Sequence, residues 1–420
     1  MQRTLFAILL WAMIVSPCGA DAASGGKKMD HRIGIVVFQF DDSTIGHYTY
    51  GFRILEKYNQ KGSFGVVTGH LDKPGRLTSD QVREMHKAGH EIHDHTLFHE
   101  AAFWGNPANE KQWPERIEKS LAILEKLGVK TRGWNEPGGK GQGWSEPLRR
   151  TLAKHYDYAA GRVGLPPYRI HNMHWHLKDD PLSLGRGGIG SWGYNGGKGD
   201  SVKETECVKT RMTDGIQHGL VVIPLWHVVK DEDGTAQGLE EICKFVRENN
   251  LPWMVMADAV KAVQNPRDHF DKRTEQMPNP TFASDIDKND RPDGFLQCGY
   301  APPDVKTSSK NRAAAFENGT GTWIYGPEPG RTEFAITARL ADETPRTITP
   351  IVTFIEIDEK WNYTEGEKKS LDPVPLSAQW QEKSYTFDVG EKVDRVKIDF
   401  RISPPGKVHL CRASWRKENM

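Results

Sequence analysis

The sequence predicts an α/β domain followed by an all-β sandwich. From about residue 30 to 262, apolar runs of strand length alternate with stretches of helical periodicity. The apolar runs are nearly continuous, as expected of parallel strands buried on both faces. Near Asn265 a polar, proline-containing stretch gives way to short β-rich segments separated by turn residues. The strand–helix alternation implies a parallel sheet covered by helices, either open or closed as a barrel.

In chain order, residues 33–40 (IGIVVFQF) read as a buried strand, 50–58 as a helix and 62–68 (GSFGVVT) as a second buried strand. Residues 78–88 read as a helix, with Thr78 and Gln81 at capping-box spacing and Gly89 as a stop. Residues 115–127 form a clearer helix. Pro114 suits its start, Ile117, Leu121 and Leu124 share one face, and Gly128 ends it. Residues 219–225 (GLVVIPL) and 253–256 read as late strands. The segments 332–339, 347–357, 383–389 and 395–402 read as strands of an antiparallel sandwich. The expected division is a targeting segment (1–22), the α/β domain (30–264), a linker (265–277) and the sandwich (278–420).

Composition narrows the function. The 420 residues carry 56 Lys+Arg against 56 Asp+Glu, without the basic excess of a dedicated nucleic-acid binder. Apolar content of 37% is enough for packed cores and too little for a multi-span membrane protein. Arg3 followed by an unbroken apolar run over residues 5–15, then Pro17 and Ala20-Asp21-Ala22, matches a cleaved secretory signal. The run is too short to span a bilayer, and the expected location is secreted or periplasmic. An exported chain can form disulfides. Cys298–Cys411 is the favoured pair, closing a loop of about a hundred residues. Cys207–Cys243 competes with a free, buried Cys243 thiol on a helical stretch.

The chemistry-bearing residues sit at strand ends. The first strand runs into Asp41-Asp42. Consecutive strand residues face opposite sides, so one carboxylate could ligate a metal while the other approaches an activated water. Residues 90–99 carry four histidines, and His95 and His99, four apart, would face the same side of a helical turn as a chelate. With a carboxylate they would make a facial two-His, one-carboxylate set. His90 and His93 are expected to belong to the structure or to the groups that hold the metal ligands in place. Trp134-Asn135-Glu136-Pro137-Gly138-Gly139 is a turn whose backbone N–H groups could approach a ligand, as an oxyanion hole requires. His227 directly follows an apolar run, where a parallel strand would deliver it to the rim of a site.

Together these elements resemble the polysaccharide deacetylases of carbohydrate esterase family 4, the NodB-homology family, over roughly residues 30–262. The family's Asp-Asp motif is matched by Asp41 and Asp42. Its His-[Ser/Thr]-x-x-x motif closed by His is matched at His95-Thr96-Leu97-Phe98-His99, and its Leu-x-His motif at Leu225-Trp226-His227. Two motifs depart. Asn135 stands where the third motif carries Arg, with Arg132, Arg162 or Arg186 as substitutes, and Trp192 is a loose match to the fourth.

The resemblance implies a distorted (β/α) barrel, and residues 278–420 look like the jelly-roll sandwiches often appended to carbohydrate-active enzymes. It implies a divalent metal, foremost Zn2+ with Co2+, Ni2+ or Mn2+ as others, held by Asp42, His95 and His99. It further implies Asp41 as general base, His227 as acid, and Gly138, Asn135 and Trp192 on the substrate side. The implied reaction removes acetyl groups from N-acetylated sugars of a glycan. O-deacetylation of a plant polysaccharide such as xylan is an alternative, and a catalytically silent carbohydrate-binding protein is another. Trp323, Tyr325, Trp361 and Tyr363 would be a sugar-stacking platform on the sandwich or part of its core.

Overall fold

A computed structural model describes residues 29–417 with gaps, the longest at 163–173, 190–200 and 301–312. The N-terminal segment read as a secretory signal lies outside the described residues. Among the described residues no helix is long and apolar enough to cross a membrane.

Eight parallel strands form the central sheet: β1 (Phe38–Phe40), β2 (Gly62–Val66), β3 (Glu91–Asp94), β4 (Gly133–Asn135), β5 (Tyr158–Arg162), β6 (Leu184–Gly185), β7 (Gly187–Ile189) and β8 (Pro224–Trp226). Their order is β7-β8-β1-β2-β3-β4-β5-β6. The two edge strands, β6 and β7, are separated in the chain by one residue, so the sheet curls until its edges meet. This is the distorted barrel that the motifs implied.

The apolar runs behave as double-sided burial requires. Phe38 and Phe40 face the helices, where Phe40 stacks on Phe64 (4.5 Å) and Trp226 (5.4 Å). Residues 33–40 do not form one strand: Ile35–Val36 pairs with Val221–Val222 in a small separate sheet, and β1 then joins the barrel. The helix Ser79–Lys87 carries the expected capping box from Thr78 and Gln81. Trp113–Lys126 is the longer helix, and Gly128 beyond it takes a left-handed φ of 77°.

The strand expected at 253–256 is absent. Pro252 has no N–H to offer a ladder, Trp253 makes a single bridge to Val36, and Met256 already opens the helix Met256–Gln264. The apolar run continues as the buried face of that helix.

Beyond it, two antiparallel sheets pack face to face. One orders Gly299–Tyr300, Ala314–Phe316, Val408–Lys417, Gly330–Leu340 and Gln381–Val389; the other is built on Thr320–Tyr325, Val393–Ser403, Thr347–Ile357 and Tyr363–Ser370. Phe334, Ile336, Val352, Ile398 and Trp415 fill the space between them. For Trp323 and Tyr325 the structure decides between the two readings in favour of the core. They are buried against Leu220 of the barrel and Ile355, cementing the two parts and closed to a ligand. Gly294 N–H donates to Asp214 (2.8 Å) at the same seam. Trp361 and the Tyr363 side chain lie outside the described residues. So does Cys298, the expected partner of Cys411, whereas Cys243 is a free, buried thiol and is not bridged to Cys207.

Candidate active site

Asp41, Asp42, His95 and His99 converge at the C-terminal ends of β1 and β3. The Asp41 N–H donates to the Trp226 carbonyl (3.0 Å), pinning the end of β1 to the end of β8. The chain then leaves the strand through Asp42 and Ser43, both with positive φ (81° and 56°). This left-handed step overrides the strict alternation of a strand and lets both carboxylates reach one cavity. Arg76 donates to the Asp42 carbonyl (2.7 Å), and Ser43 Oγ accepts from the Val67 N–H (2.7 Å), fixing the turn to the next loop.

His95 and His99 are not on a helical turn. Their segment is an irregular loop in which Thr96 and His99 take left-handed φ values of 70° and 60°. Thr96 N–H donates to Asp94 Oδ1 (2.8 Å), and His99 N–H to Thr96 Oγ1 (3.0 Å). The loop brings the two imidazoles edge to face, centroids 4.9 Å apart.

Asp42 Oδ1 stands 3.1 Å from His95 Nε2 and 3.0 Å from His99 Nε2. Donors bound about 2.0–2.2 Å from one ion at angles near 90–109° stand roughly 3.0–3.5 Å apart. The three side chains therefore fit a divalent cation, and all three of their ligand atoms lie within 4.8 Å of one another. His95 Nδ1 donates to the Asn135 carbonyl (3.0 Å), which leaves the Nε2 lone pair for a metal. Burial alone would raise the Asp42 pKa. Where His95 and His99 carry a proton on Nε2 in place of a cation, their hydrogen bonds and charge, with the charge of His227, outweigh it and hold the carboxylate well below the usual range.

Asp41 is fully buried beside this set, its Oδ2 3.8 Å from His95 Nε2. Asn135, at the end of β4, donates from Nδ2 to Asp41 Oδ1 (2.8 Å). Of the arginines considered for that contact, Arg132 is excluded. It precedes β4, at the far end of the barrel, and pairs with Asp157 (2.7 Å) and Asp258 (3.8 Å). The Arg162 and Arg186 side chains lie outside the described residues, as does Trp192.

Gly138 turns with φ 74° just beyond β4, its Cα so close to Ala101 that a Cβ would stand 2.7 Å from the alanine methyl. His227 follows β8. Its carbonyl accepts from His47 Nε2 (3.0 Å) and Thr44 Oγ1 (3.3 Å), so the β1 loop carries the loop of His227.

Of the two roles open to His93, the structure gives it the one beside the site, and Tyr158 and Gly65, which no motif marks, lie next to it. His93 lies two residues before His95 on β3, so it shares the interior face. Its Nε2 is 3.6 Å from Asp41 Oδ1 and accepts a hydrogen bond from Asn135 Nδ2. His90 is structural, donating to Glu56 Oε1 (2.9 Å) beneath Phe52 and Phe64.

Residues 28–160 match the family model for polysaccharide deacetylase, a stretch that runs from before β1 into β5. This part of the barrel carries the features of a polysaccharide deacetylase domain. Members of this family are hydrolytic deacetylases.

A Streptococcus pyogenes deacetylase solved in complex with acetate is 25% identical over 36% of this chain and 62% of its own length, with a TM-score of 0.31. This chain thus spans less than two thirds of that protein. A family 4 acetyl xylan esterase from Clostridium thermocellum, solved with a cobalt ion, is 18% identical over 54% of this chain and 90% of its own (TM-score 0.39). A mutant of the peptidoglycan deacetylase PdaC from Bacillus subtilis is 16% identical over 57% and 95% (TM-score 0.40). No curated protein is similar to this sequence.

Proposed function

We propose that the protein hydrolyses acetyl groups from N-acetylated amino sugars of an exported glycan, releasing acetate, with a divalent cation, foremost zinc, held by Asp42, His95 and His99. The observation that carries this reading is the facial set of two imidazoles and one carboxylate with a second, buried carboxylate directly beside it.

The bound cation would supply Lewis acidity, polarising the acetyl carbonyl and a water. The protein's own groups do the rest. Asp41, held by Asn135, takes the proton of the attacking water. A backbone N–H of the Gly138 turn would stabilise the developing oxyanion. His227 protonates the departing nitrogen, so the C–N bond breaks to give acetate and a free amine.

Ile45, Phe98 and Val228 are exposed large apolar side chains, and each lies within three residues of Asp42, His99 or His227. They offer the apolar faces of sugar rings a place to rest. The apolar run at residues 5–15 supports export to the periplasm or outside the cell.

The test is acetate release from a panel of N-acetylated and O-acetylated glycans, with chelator and zinc add-back. Chelator-sensitive release from N-acetyl sugars upholds the reading. Release confined to O-acetyl substrates would make the enzyme an esterase, and none from any would overturn deacetylation.

A further inference from the structure

We propose that Asn135 is a positioning residue for Asp41, and that a buried chain, His93–Tyr158–Glu91, fixes the direction in which its amide points; this rests on the reading of Asp41 as the base. Asn135 stands where the family's third motif carries arginine, yet its side chain ends in a neutral amide whose two ends differ only in which of them donates. Something must decide its orientation.

The decision can be followed proton by proton. Tyr158 OH has one hydrogen, which goes to Glu91 Oε1 (3.0 Å). Its oxygen must then accept from His93 Nδ1–H (3.3 Å). With the proton on Nδ1, His93 Nε2 carries the lone pair and accepts from Asn135 Nδ2. The second Nδ2 hydrogen reaches Asp41 Oδ1 (2.8 Å). Were the amide reversed, its oxygen would face a carboxylate oxygen and an imidazole lone pair together.

Asp41, His93, Asn135 and Tyr158 are all fully buried, where a lost donor costs more than it would at the surface. The far end is anchored too: Glu91 Oε2 accepts from Ser63 Oγ (2.8 Å) and from the Ala257 N–H (3.0 Å) in the first turn of Met256–Gln264. Asn135 Oδ1 makes no hydrogen bond among the described residues, an unmet acceptor that the site tolerates while both amide hydrogens are in use. The same residue's carbonyl orients His95. One residue thus sets the base through its side chain and a metal ligand through its backbone.

The experiment uses three variants of the full-length protein, loaded with zinc. Asn135→Leu keeps the shape and removes both donors. His93→Gln places an acceptor near the position of Nε2; His93→Asn reaches only as far as Nδ1. For Asn135→Leu, kcat for acetate release should fall about 100-fold, with KM and zinc stoichiometry unchanged, as expected for a misplaced base. His93→Gln should retain most of the wild-type kcat, and His93→Asn should fall with Asn135→Leu. A merely structural histidine would not distinguish Gln from Asn. Equal kcat for the two His93 variants, or Asn135→Leu within threefold of wild type, overturns the proposal.

If the wild type releases no acetate, the proposed function fails and the crystal structure of Asn135→Leu decides this inference. An Asp41 carboxylate turned away from its wild-type position sustains it, and one left in place overturns it.

Discussion

Replacing Gly65 by alanine crowds Asp41 and His93 while sparing the three candidate metal ligands. Gly65 lies on β2, pairs in register with His93 and faces the barrel interior. A Cβ there would stand 2.5 Å from Asp41 Oδ1 and 2.9 Å from His93 Nε2. Ordinary contact begins at 3.4 Å, so the carboxylate must retreat by about 0.9 Å. The backbone at Gly65 is not left-handed, so the methyl itself is the whole perturbation. A displacement near 1 Å of a catalytic group costs roughly 100-fold in rate, about 2.7 kcal/mol of barrier. Overpacking one methyl costs about 1–3 kcal/mol of stability against a total of roughly 5–15, so the variant folds. Its Cβ touches none of Asp42, His95 or His99 among its nearest atoms, so zinc content should be unchanged. The assay is kcat for acetate release, beside zinc analysis and thermal unfolding. A variant with full zinc and kcat within threefold of wild type would refute the claim that the Asp41 position limits the rate.

Other substitutions separate the remaining roles. Asp42→Ala and His95→Ala should lose zinc and activity together. Asp41→Asn should keep zinc and lose activity by at least about 100-fold; normal turnover in that variant would remove Asp41 as the base. The buried Asp94 carboxylate accepts from Tyr156 OH (2.5 Å), Ser120 Oγ (2.8 Å) and the Thr96 N–H. Tyr156→Phe removes one donor and should cost about 1.5–3 kcal/mol, seen as a lowered Tm. An unchanged Tm would mean that the remaining donors suffice. Burial, the largest influence on both His47 and His90, pushes each pKa down to about 4. Their folded values lie below the unfolded 6.5, so stability is complete above pH 6.5 and lost as pH falls towards 4. The loss is about 3 kcal/mol for each histidine. Denaturant midpoints measured from pH 8 to 4 should trace that decline, and a flat profile would contradict it.

The architecture was legible because its signals are local. Apolar runs flanked by helical periodicity locate β1, β2 and β8, and Thr78 with Gln81 marks its helix start to the residue. The motif residues were legible as a set. How they meet was not. The spacing of His95 and His99 suggests a helical turn, whereas the chain satisfies it with two left-handed residues, a conformation that Thr and His rarely announce. Alternation suggests opposite faces for Asp41 and Asp42, and one positive φ cancels it. Asn135 read as a departure from the family pattern. Its partner His93 is 42 residues away in the chain, and no periodicity reports that contact. For Trp323 and Tyr325 platform and core stayed open, because aromatic residues serve both, and only the docking of Leu220 distinguishes the two.

The place of β1 between β2 and β8 has a consequence for how the protein is made. Gln39 pairs with Ser63 on one side and with Leu225 on the other. At roughly 5–20 residues per second, a growing chain produces the second partner some 10–40 s after the first strand. Until then the Asp41 N–H has no Trp226 carbonyl to meet, and the loop that carries His227 does not exist. The carboxylates emerge among the first residues of the domain and are seated among the last. A chain broken off after β5 would carry Asp41, Asp42, His95 and His99 without the strand end that pins Asp41 and without His227.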